Sequence, residues 1–418
     1  MRIALVASSF LPEPGRLERR VDHLARGLAQ RGAEVEILAQ GRGQSGFERL
    51  DAVTIRRFPV TAGPLRFAVS PRLRERLRLM SHEFDIVDVH TRQAPLALAV
   101  ASARVRRLVL TPCASIDGFL GRPHARETRA VMAASAHIVC RSEMERDLLC
   151  ETVPRAARRT LVVPDGIDLT ALRSAQPFAV TGTVVLAIDR LDRATGVGPA
   201  IAAMASLGPE FRLVVVGDGP ARHRLSAFAA DLRVSSRVQF VGAVSDDVLH
   251  RWLRTARVVV ALAAERSSGS MVAEACAAEV SVVASDLPVH RRAAQRVGGG
   301  TVIFLPPRGS PLDVADAIEE AARLRVLPNP ALRESSAPSW ESVVDATWEL
   351  YRQMLGESPL PERYGGVSEV VDLTAQLRAE RNTQGRPALT AEVGAAAGPS
   401  GQASPWPTPR AAEPGGAR

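Results

Sequence analysis

The sequence predicts an α/β protein built from two doubly wound halves in tandem. Short apolar runs rich in branched residues alternate with stretches of helical periodicity, as expected for parallel strands joined by crossover helices. The alternation occurs twice, on either side of a predicted domain boundary at about 168–182. We therefore expect each half to be a parallel sheet with helices on both faces.

The first half opens with a β-α-β unit. An apolar run at 2–8 and another at 34–39 flank a helical stretch that is long enough to connect parallel strands. The apolar residues that recur at helical spacing in this stretch are Leu17, Val21, Leu24 and Leu28. Further strands of this half are predicted at 85–89, 107–110, 137–140 and 160–163.

The second half repeats the alternation. Its strands are predicted at 183–188, 212–216, 238–241, 257–262 and 280–284. Helices near 197–207, 220–232, 246–255 and 270–278 separate them. A further amphipathic helix is predicted at 339–355, with one side formed by Trp340, Val344, Thr347, Trp348 and Tyr351.

These elements predict a first domain at 1–168 and a second at 183–330, followed by a tail at 357–418. The tail is rich in Pro, Gly, Ala, Ser and Arg and lacks apolar periodicity, so we expect it to be disordered.

Composition narrows the possible chemistry. The net charge is +8, and all 53 basic residues are arginine because the chain has no lysine. A Schiff base, a lysine general base and a P-loop lysine are therefore excluded, while nucleotide phosphates or acidic lipids can be partners. Only 4% of the residues are aromatic and no nucleic-acid-binding motif is present, so no nucleic-acid partner is expected.

Neither a metal site nor a membrane span is expected. The four cysteines are scattered and have no histidine nearby at metal-ligand spacing; they are Cys113, Cys140, Cys150 and Cys276. No apolar run approaches the roughly 18–20 residues that cross a membrane, and the start of the chain becomes polar too soon for a secretory signal. The expected location is the cytoplasm.

Several segments, taken in order, resemble the family 4 glycosyltransferases of the GT-B fold. They are the opening 1–38, VVPDGIDL at 162–169, RLVVVGDGP at 212–220, the segment 238–262 and GSMVAEACA at 269–277. The resemblance covers roughly residues 1–355. It implies two Rossmann-like domains that face each other across a cleft, and it makes 339–355 the helix that crosses back to the first domain.

The resemblance also implies the reaction. Such enzymes move a sugar from a nucleoside diphosphate sugar to an acceptor with retention of configuration, and they usually need no metal or other cofactor. The second domain binds the donor and the first takes the acceptor, which stays open between an unknown sugar and a lipid-linked molecule. Because the leaving diphosphate gains negative charge, the site must supply positive charge or N–H donors.

Two residues match catalytic positions of the family. Arg190, after the strand at 183–188, matches the arginine that contacts the diphosphate, and a planar cation suits phosphate oxygens. Glu274 matches the second of two paired glutamates, which accepts hydrogen bonds from ribose hydroxyls. The structural alternatives are a solvated surface arginine and a glutamate placed in a first helical turn by the helix dipole.

Other residues match positions that contact the donor. Gly269, Ser270 and Met271 open a helix whose backbone N–H groups would bind a diphosphate. The glycines that end or follow strands on the predicted ligand edge of the sheet are Gly217, Gly219 and Gly242. For these three glycines a plain tight turn is an equally good interpretation.

Several positions depart from the family pattern near the transferred sugar. Gly15 begins a loop that carries two consecutive glycines in the family, but the second position is Arg16, which either supplies charge to the phosphates or fills the space. Cys113 stands where the family has a histidine that faces the sugar.

The donor side departs from the pattern as well. Thr195 replaces a lysine, whose charge Arg193 could supply instead. Arg266 replaces the first of the paired glutamates, and Glu265 lies one residue away.

These departures leave two hypotheses: an active retaining glycosyltransferase, or a catalytically impaired member that binds nucleotide or a partner. A nicotinamide-dependent oxidoreductase is disfavoured because the opening loop lacks GxGxxG.

A basic segment adds a possible membrane contact. It surrounds Leu73, Leu77 and Met80 with Arg72, Arg74, Arg76 and Arg78. Such a helix would either touch anionic headgroups at the inner membrane or present an ordinary solvated face.

Overall fold

The computed structural model describes residues 1–357 except 14, 42–44, 61–68, 80–81, 93, 114–124, 193–194, 263–268, 299, 308 and 325–336. These residues belong to one compact unit, Met1–Leu360, while a second unit, Pro361–Arg418, lies outside them together with nearly all of the predicted tail. Within the described ranges, none of the helices has the length and apolarity needed to span a membrane.

The first half is built on an eight-stranded sheet with the order β3-β4-β2-β1-β5-β6-β7-β8. All neighbouring strands are parallel except β3 and β4, which form an antiparallel hairpin. The strands are β1 Arg2–Ala7, β2 Glu34–Gly41, β3 Gly46–Leu50, β4 Val53–Pro59, β5 Ile86–Thr91, β6 Leu108–Pro112, β7 His137–Cys140 and β8 Thr160–Val162.

Helices cover both faces of this sheet. They are α1 Arg16–Gln30, α2 Pro71–Leu79, α3 Ala94–Ser102, α4 Ala125–Ala134 and α5 Glu143–Thr152, with a 3-10 turn at Pro154–Arg159. The predicted apolar stripe of α1 is fully buried against the sheet. Its burial fixes which side of α1 faces the rest of the molecule.

The second half has a six-stranded, entirely parallel sheet with the order β11-β10-β9-β12-β13-β14. Its strands are β9 Thr183–Ile188, β10 Phe211–Val216, β11 Val238–Gly242, β12 Val258–Ala261, β13 Ser281–Ser285 and β14 Val302–Leu305. The strand order reverses between β9 and β12, and ligands of such sheets bind at the carboxyl ends of the strands at this point.

The helices of the second half begin in the segment between the two sheets. They are α6 Leu169–Ser174, α7 Val197–Ala203, α8 Arg222–Asp231, α9 Asp246–Thr255, α10 Ser270–Ala277, α11 Pro288–Val297 and α12 Pro311–Arg323, with a 3-10 turn at Ser235–Arg237. The predicted pair of doubly wound parallel sheets is confirmed.

A last helix, α13 Trp340–Leu355, crosses back and packs on α1 of the first half, as predicted. The two helices approach so closely that a Cβ added at Gly27 would lie 2.5 Å from Cγ2 of Val344. Near the other end of α13, the buried hydroxyl of Tyr351 donates to Oδ2 of Asp88 on β5 at 2.7 Å. Both contacts tie the end of the second half to the first sheet.

Sequence periodicity missed the β3–β4 hairpin, β14, α6, α11 and α12. The residues of β3 are all exposed, so the strand has no apolar face that a pattern could reveal. In α11 the buried positions include His290, which breaks the apolar stripe.

A glycine-to-alanine substitution within a helix normally stabilises a protein. Because α1 and α13 are in close contact at Gly27, we expect it to destabilise this one. Gly27→Ala in a helix normally adds about 0.5–1 kcal/mol of stability, but here the new methyl group meets Val344, and overpacking costs about 1–3 kcal/mol. We expect Gly27→Ala to lower the urea midpoint. The double variant Gly27→Ala/Val344→Ala should recover part of the loss, whereas a raised midpoint for the single variant would contradict this packing.

Candidate active site

The first component of the site is the amino terminus of α10, at the carboxyl edge of the second sheet. Gly269 precedes the helix with a φ of 72°, and a Cβ there would lie 2.8 Å from the carbonyl oxygen of Val289. Glycine is therefore required both by its backbone conformation and by the space available. Ser270 and the buried Met271 form the first turn, whose N–H groups make a favourable environment for an anion.

The second component is Glu274, one turn further along α10. It is 8% exposed, and its Oε1 lies 3.1 Å from Nη1 of Arg16 and 3.9 Å from Nη2 of Arg19. Its Oε2 is buried and has no hydrogen-bond partner among the described residues. A buried carboxylate oxygen without a donor is a site at which a hydroxyl or N–H group of a ligand can bind.

The third component comes from the first half, where α1 begins. The guanidinium of Arg16 reaches across to α10 and donates to Oγ of Ser270 as well as to Glu274. A Cβ at Gly15 would lie 2.2 Å from Oε2 of Glu18, which is itself buried and accepts hydrogen bonds from Arg92. The predicted residues of both halves therefore meet at one place.

A second arginine of α1 strengthens this contact. Nε of Arg19 lies 3.2 Å from Oδ1 of Asp246 at the start of α9. Burial alone would lower the pKa of Arg19, but the carboxylates of Glu274 and Asp246 raise it above its ordinary value. Burial raises the pKa of Asp246, and Arg19 opposes that rise. Arg19 therefore stays charged beside Glu274.

The predicted glycines have mainly a packing role. A Cβ at Gly217 would lie 1.9 Å from the carbonyl oxygen of Asp189, and one at Gly219 would lie 2.3 Å from that of Leu191. These glycines let the loop after β10 pass against the loop after β9. Gly242 ends β11 with a φ of 81° and accepts a hydrogen bond from the backbone N–H of Gly217 at 2.7 Å.

Arg190 lies at the carboxyl end of β9, on the same sheet edge as the start of α10. Its side chain is exposed and forms no hydrogen bond or ion pair with the residues that the structure describes. The hydroxyl of Thr195 donates to Oδ2 of Asp189 at 2.8 Å, so Thr195 organises the loop before α7. The positions of Arg193, Glu265 and Arg266 lie outside the described residues.

Cys113 follows β6 and adjoins a buried polar group that sequence reasoning missed. Nε2 of His90 lies 3.1 Å from Oδ2 of Asp88, and both side chains are almost fully buried. Burial alone would lower the pKa of His90, but Asp88 raises it to about 9. The backbone N–H of Cys113 donates to Thr91 at 2.8 Å. The sequence signal for this buried pair is the alternation of polar residues in the otherwise apolar strand at 86–91.

Sequence reasoning also missed a buried ion pair that links α1 to the segment between the sheets. Arg20 is 1% exposed, and its Nη1 lies 2.9 Å from Oδ1 of Asp165 and 3.2 Å from the carbonyl oxygen of Pro164. Burial alone would raise the pKa of Asp165, but Arg20 and Arg141 hold it below its ordinary value. This pair holds the beginning of α1 against the segment that leads into the second half.

We expect Asp165→Asn to destabilise the protein by about 3–5 kcal/mol, because it leaves the buried Arg20 without its counter-charge. The depressed pKa gives a stability contribution that is present above the unfolded value of about 3.9 and is lost as the pH falls below it. The difference in melting temperature between the variant and the parent protein should therefore become smaller below about pH 4.

The exposed pair of Arg323 and Glu319 provides the control. Glu319→Gln should change stability by less than about 0.5 kcal/mol. Equal effects of the two variants would contradict the role given to Asp165.

Comparison with known proteins covers both halves. The sequence model of Glycosyltransferase Family 4 matches residues 17–171, and that of Glycosyl transferases group 1 matches residues 170–333. A phosphatidyl-myo-inositol mannosyltransferase of Mycobacterium leprae is 27% identical over 356 residues, covering 80% of this chain and 89% of that protein. A D-inositol 3-phosphate glycosyltransferase of Xylanimonas cellulosilytica is 29% identical over 338 residues, covering 68% of this chain and 80% of that protein.

Solved structures agree at the level of the fold. Sucrose-phosphate synthase of Thermosynechococcus elongatus superposes with a TM-score of 0.68 at 20% identity, over 86% of this chain and 100% of that one. Anabaena Alr3699/HepE in complex with UDP-glucose superposes with a TM-score of 0.61 at 16% identity, over 92% of this chain and 100% of that one. Two parallel sheets, a crossover helix and two consecutive family matches lead to one conclusion: the chain belongs to the family 4 glycosyltransferases of the GT-B fold.

Proposed function

We propose that this glycosyltransferase moves a sugar from a nucleoside diphosphate sugar to an acceptor and retains the anomeric configuration. The observation that carries the proposal is the buried Oε2 of Glu274, one turn into α10, which has no hydrogen-bond partner among the described residues. That oxygen is available to a ribose hydroxyl. HepE, which shares the fold, has been solved in complex with UDP-glucose.

The spacing on α10 suits a nucleoside diphosphate. Ser270 and Glu274 are four residues apart, so they lie on one face and about 6 Å apart along the axis. A ribose and its 5′-phosphate cover a similar span. A donor whose ribose bonds to Glu274 would therefore place its phosphates against the first turn of the helix.

This placement supplies what the reaction requires. As the bond between sugar and phosphate breaks, negative charge grows on the diphosphate, and the amino terminus of α10 together with nearby guanidinium groups would stabilise it. Arg190 is suited to this role because its exposed side chain stands on the same sheet edge and has no other partner among the described residues. The proposal calls on no metal ion and no further cofactor.

The relatives favour an active enzyme over a catalytically impaired subunit. The two relatives described above are both named as transferases. In an active enzyme, the positive charge that the family takes from a lysine at position 195 would come from elsewhere, and Arg16, itself a departure from the family pattern, is placed to supply part of it.

The acceptor proposed here is an inositol-bearing molecule, because the names of both relatives include inositol. The first half would bind it.

A lipid-linked acceptor would be reached from the cytoplasmic face of the membrane. In α2, Arg72, Arg74 and Arg78 are exposed, and so is Leu79 at 66%. Arg76 cannot contribute because it pairs with Glu83 at 2.8 and 2.9 Å.

Donor binding tests the site directly. With a panel of UDP- and GDP-sugars in calorimetry, we expect the parent protein to bind at least one donor. Glu274→Gln should weaken that binding by about 10- to 100-fold, the range for losing a hydrogen bond to a charged group. Glu319→Gln, on the exposed side of α12, serves as the control. Unchanged binding by Glu274→Gln would rule out the ribose contact.

Stereochemistry tests the rest of the proposal. With the donor that binds best and an inositol acceptor, NMR of the product should show the anomeric configuration of the donor. An inverted product would contradict retention even if transfer occurs.

A further inference from the structure

The position of Arg16 is electrostatically unusual. It is the first residue of α1, and its guanidinium also lies at the start of α10. The amino terminus of a helix carries the positive end of its dipole, so this cation stands between two positive ends. Glu274 is the carboxylate that it contacts there.

The two helix termini and the guanidinium of Arg16 together form a favourable binding site for an anion. Backbone N–H groups at a helix terminus bind phosphate readily, and a guanidinium binds phosphate with two parallel hydrogen bonds. The side chain of Arg16 is 28% exposed, so it is long, partly solvated and able to change partner. The buried Oε2 of Glu274, without a donor among the described atoms, independently indicates a ligand at the same place.

We propose that Arg16 is a resident counter-ion that exchanges partners when the donor binds. Without donor, it neutralises Glu274 and covers Ser270. With donor, the guanidinium turns to the diphosphate and frees Oε1 of Glu274, so that both carboxylate oxygens can accept from the ribose. This inference rests on the proposed function and adds to it that the site must recognise the diphosphate before it can bind the ribose tightly.

The exchange makes phosphate recognition a condition for tight ribose recognition. A nucleoside without phosphate finds Oε2 of Glu274 open but must compete with Arg16 for Oε1, and it offers the arginine no new partner. A nucleoside diphosphate gives the arginine a new partner. Arg16 thereby selects for the diphosphate, a role that a glycine at this position cannot have.

Calorimetry with two ligands on two proteins isolates this effect. The nucleoside and the nucleoside diphosphate of the best-bound donor are titrated into the parent protein and into Arg16→Ala. We expect Arg16→Ala to bind the diphosphate about tenfold more weakly, as for one lost charge-assisted contact. It should bind the nucleoside more tightly, by about threefold or more, since the competitor for Oε1 of Glu274 is gone and a second ribose contact becomes available.

Arg26→Ala is the matched control. Arg26 is an arginine of the same helix, and its ion pair with Asp22 is on an exposed face, with Nε and Oδ2 3.0 Å apart. This variant should change neither affinity. Thermal denaturation of all three proteins identifies any variant that fails to fold, and in that case Arg16→Gln, which keeps most of the side chain without its charge, replaces Arg16→Ala.

The possible outcomes separate the two proposals. If Arg16→Ala shifts both ligands by the same factor, or leaves both unchanged, the exchange is wrong while the nucleotide site stands. If the parent protein binds neither ligand, the proposed function fails and the exchange fails with it. Opposite shifts for the two ligands support the exchange.

Discussion

A buried ion pair between Arg20 and Asp165 holds helix α1 against the segment that connects the two sheets. It fixes the rotation and height of α1 at the point where the chain leaves the first sheet for the second. An arginine in an apolar helix face is tolerable only because its counter-charge is buried with it, since removing one partner costs far more than the pair contributes. The pair therefore specifies geometry more than it adds net stability.

Helix α1 packs against other elements on all its sides except the exposed face of Arg26 and Asp22. Its apolar stripe fills the core of the first sheet, and Gly27 admits α13 at close range. His23 stacks on Trp340 with ring centroids 4.3 Å apart. The remaining side presents Arg16 and Arg19 to α10 and α9 of the second half. One helix thus joins the two sheets and supplies the cations that face the donor side.

Periodicity was sufficient to predict the two parallel sheets because buried parallel strands are continuous apolar runs. It could not predict β3, whose residues are exposed, nor the pairing of Arg20 with Asp165, which are 145 positions apart. The resemblance identified Glu274 and the start of α10, and the structure brings both to Arg16. No sequence pattern shows that Gly217 and Gly219 are required by the packing of two loops, because that need arises only from the three-dimensional approach of their backbones.

We propose that the donor site forms between α1 and α10, with groups from both halves. Hydrogen–deuterium exchange with and without a saturating nucleoside diphosphate tests it most directly. We expect increased protection in two separate peptides, one covering 15–20 and one covering 269–275, with little change on the far side of either sheet. Protection confined to the second half, with the start of α1 unaffected, would show that Arg16 and its helix take no part in donor binding and would contradict the account.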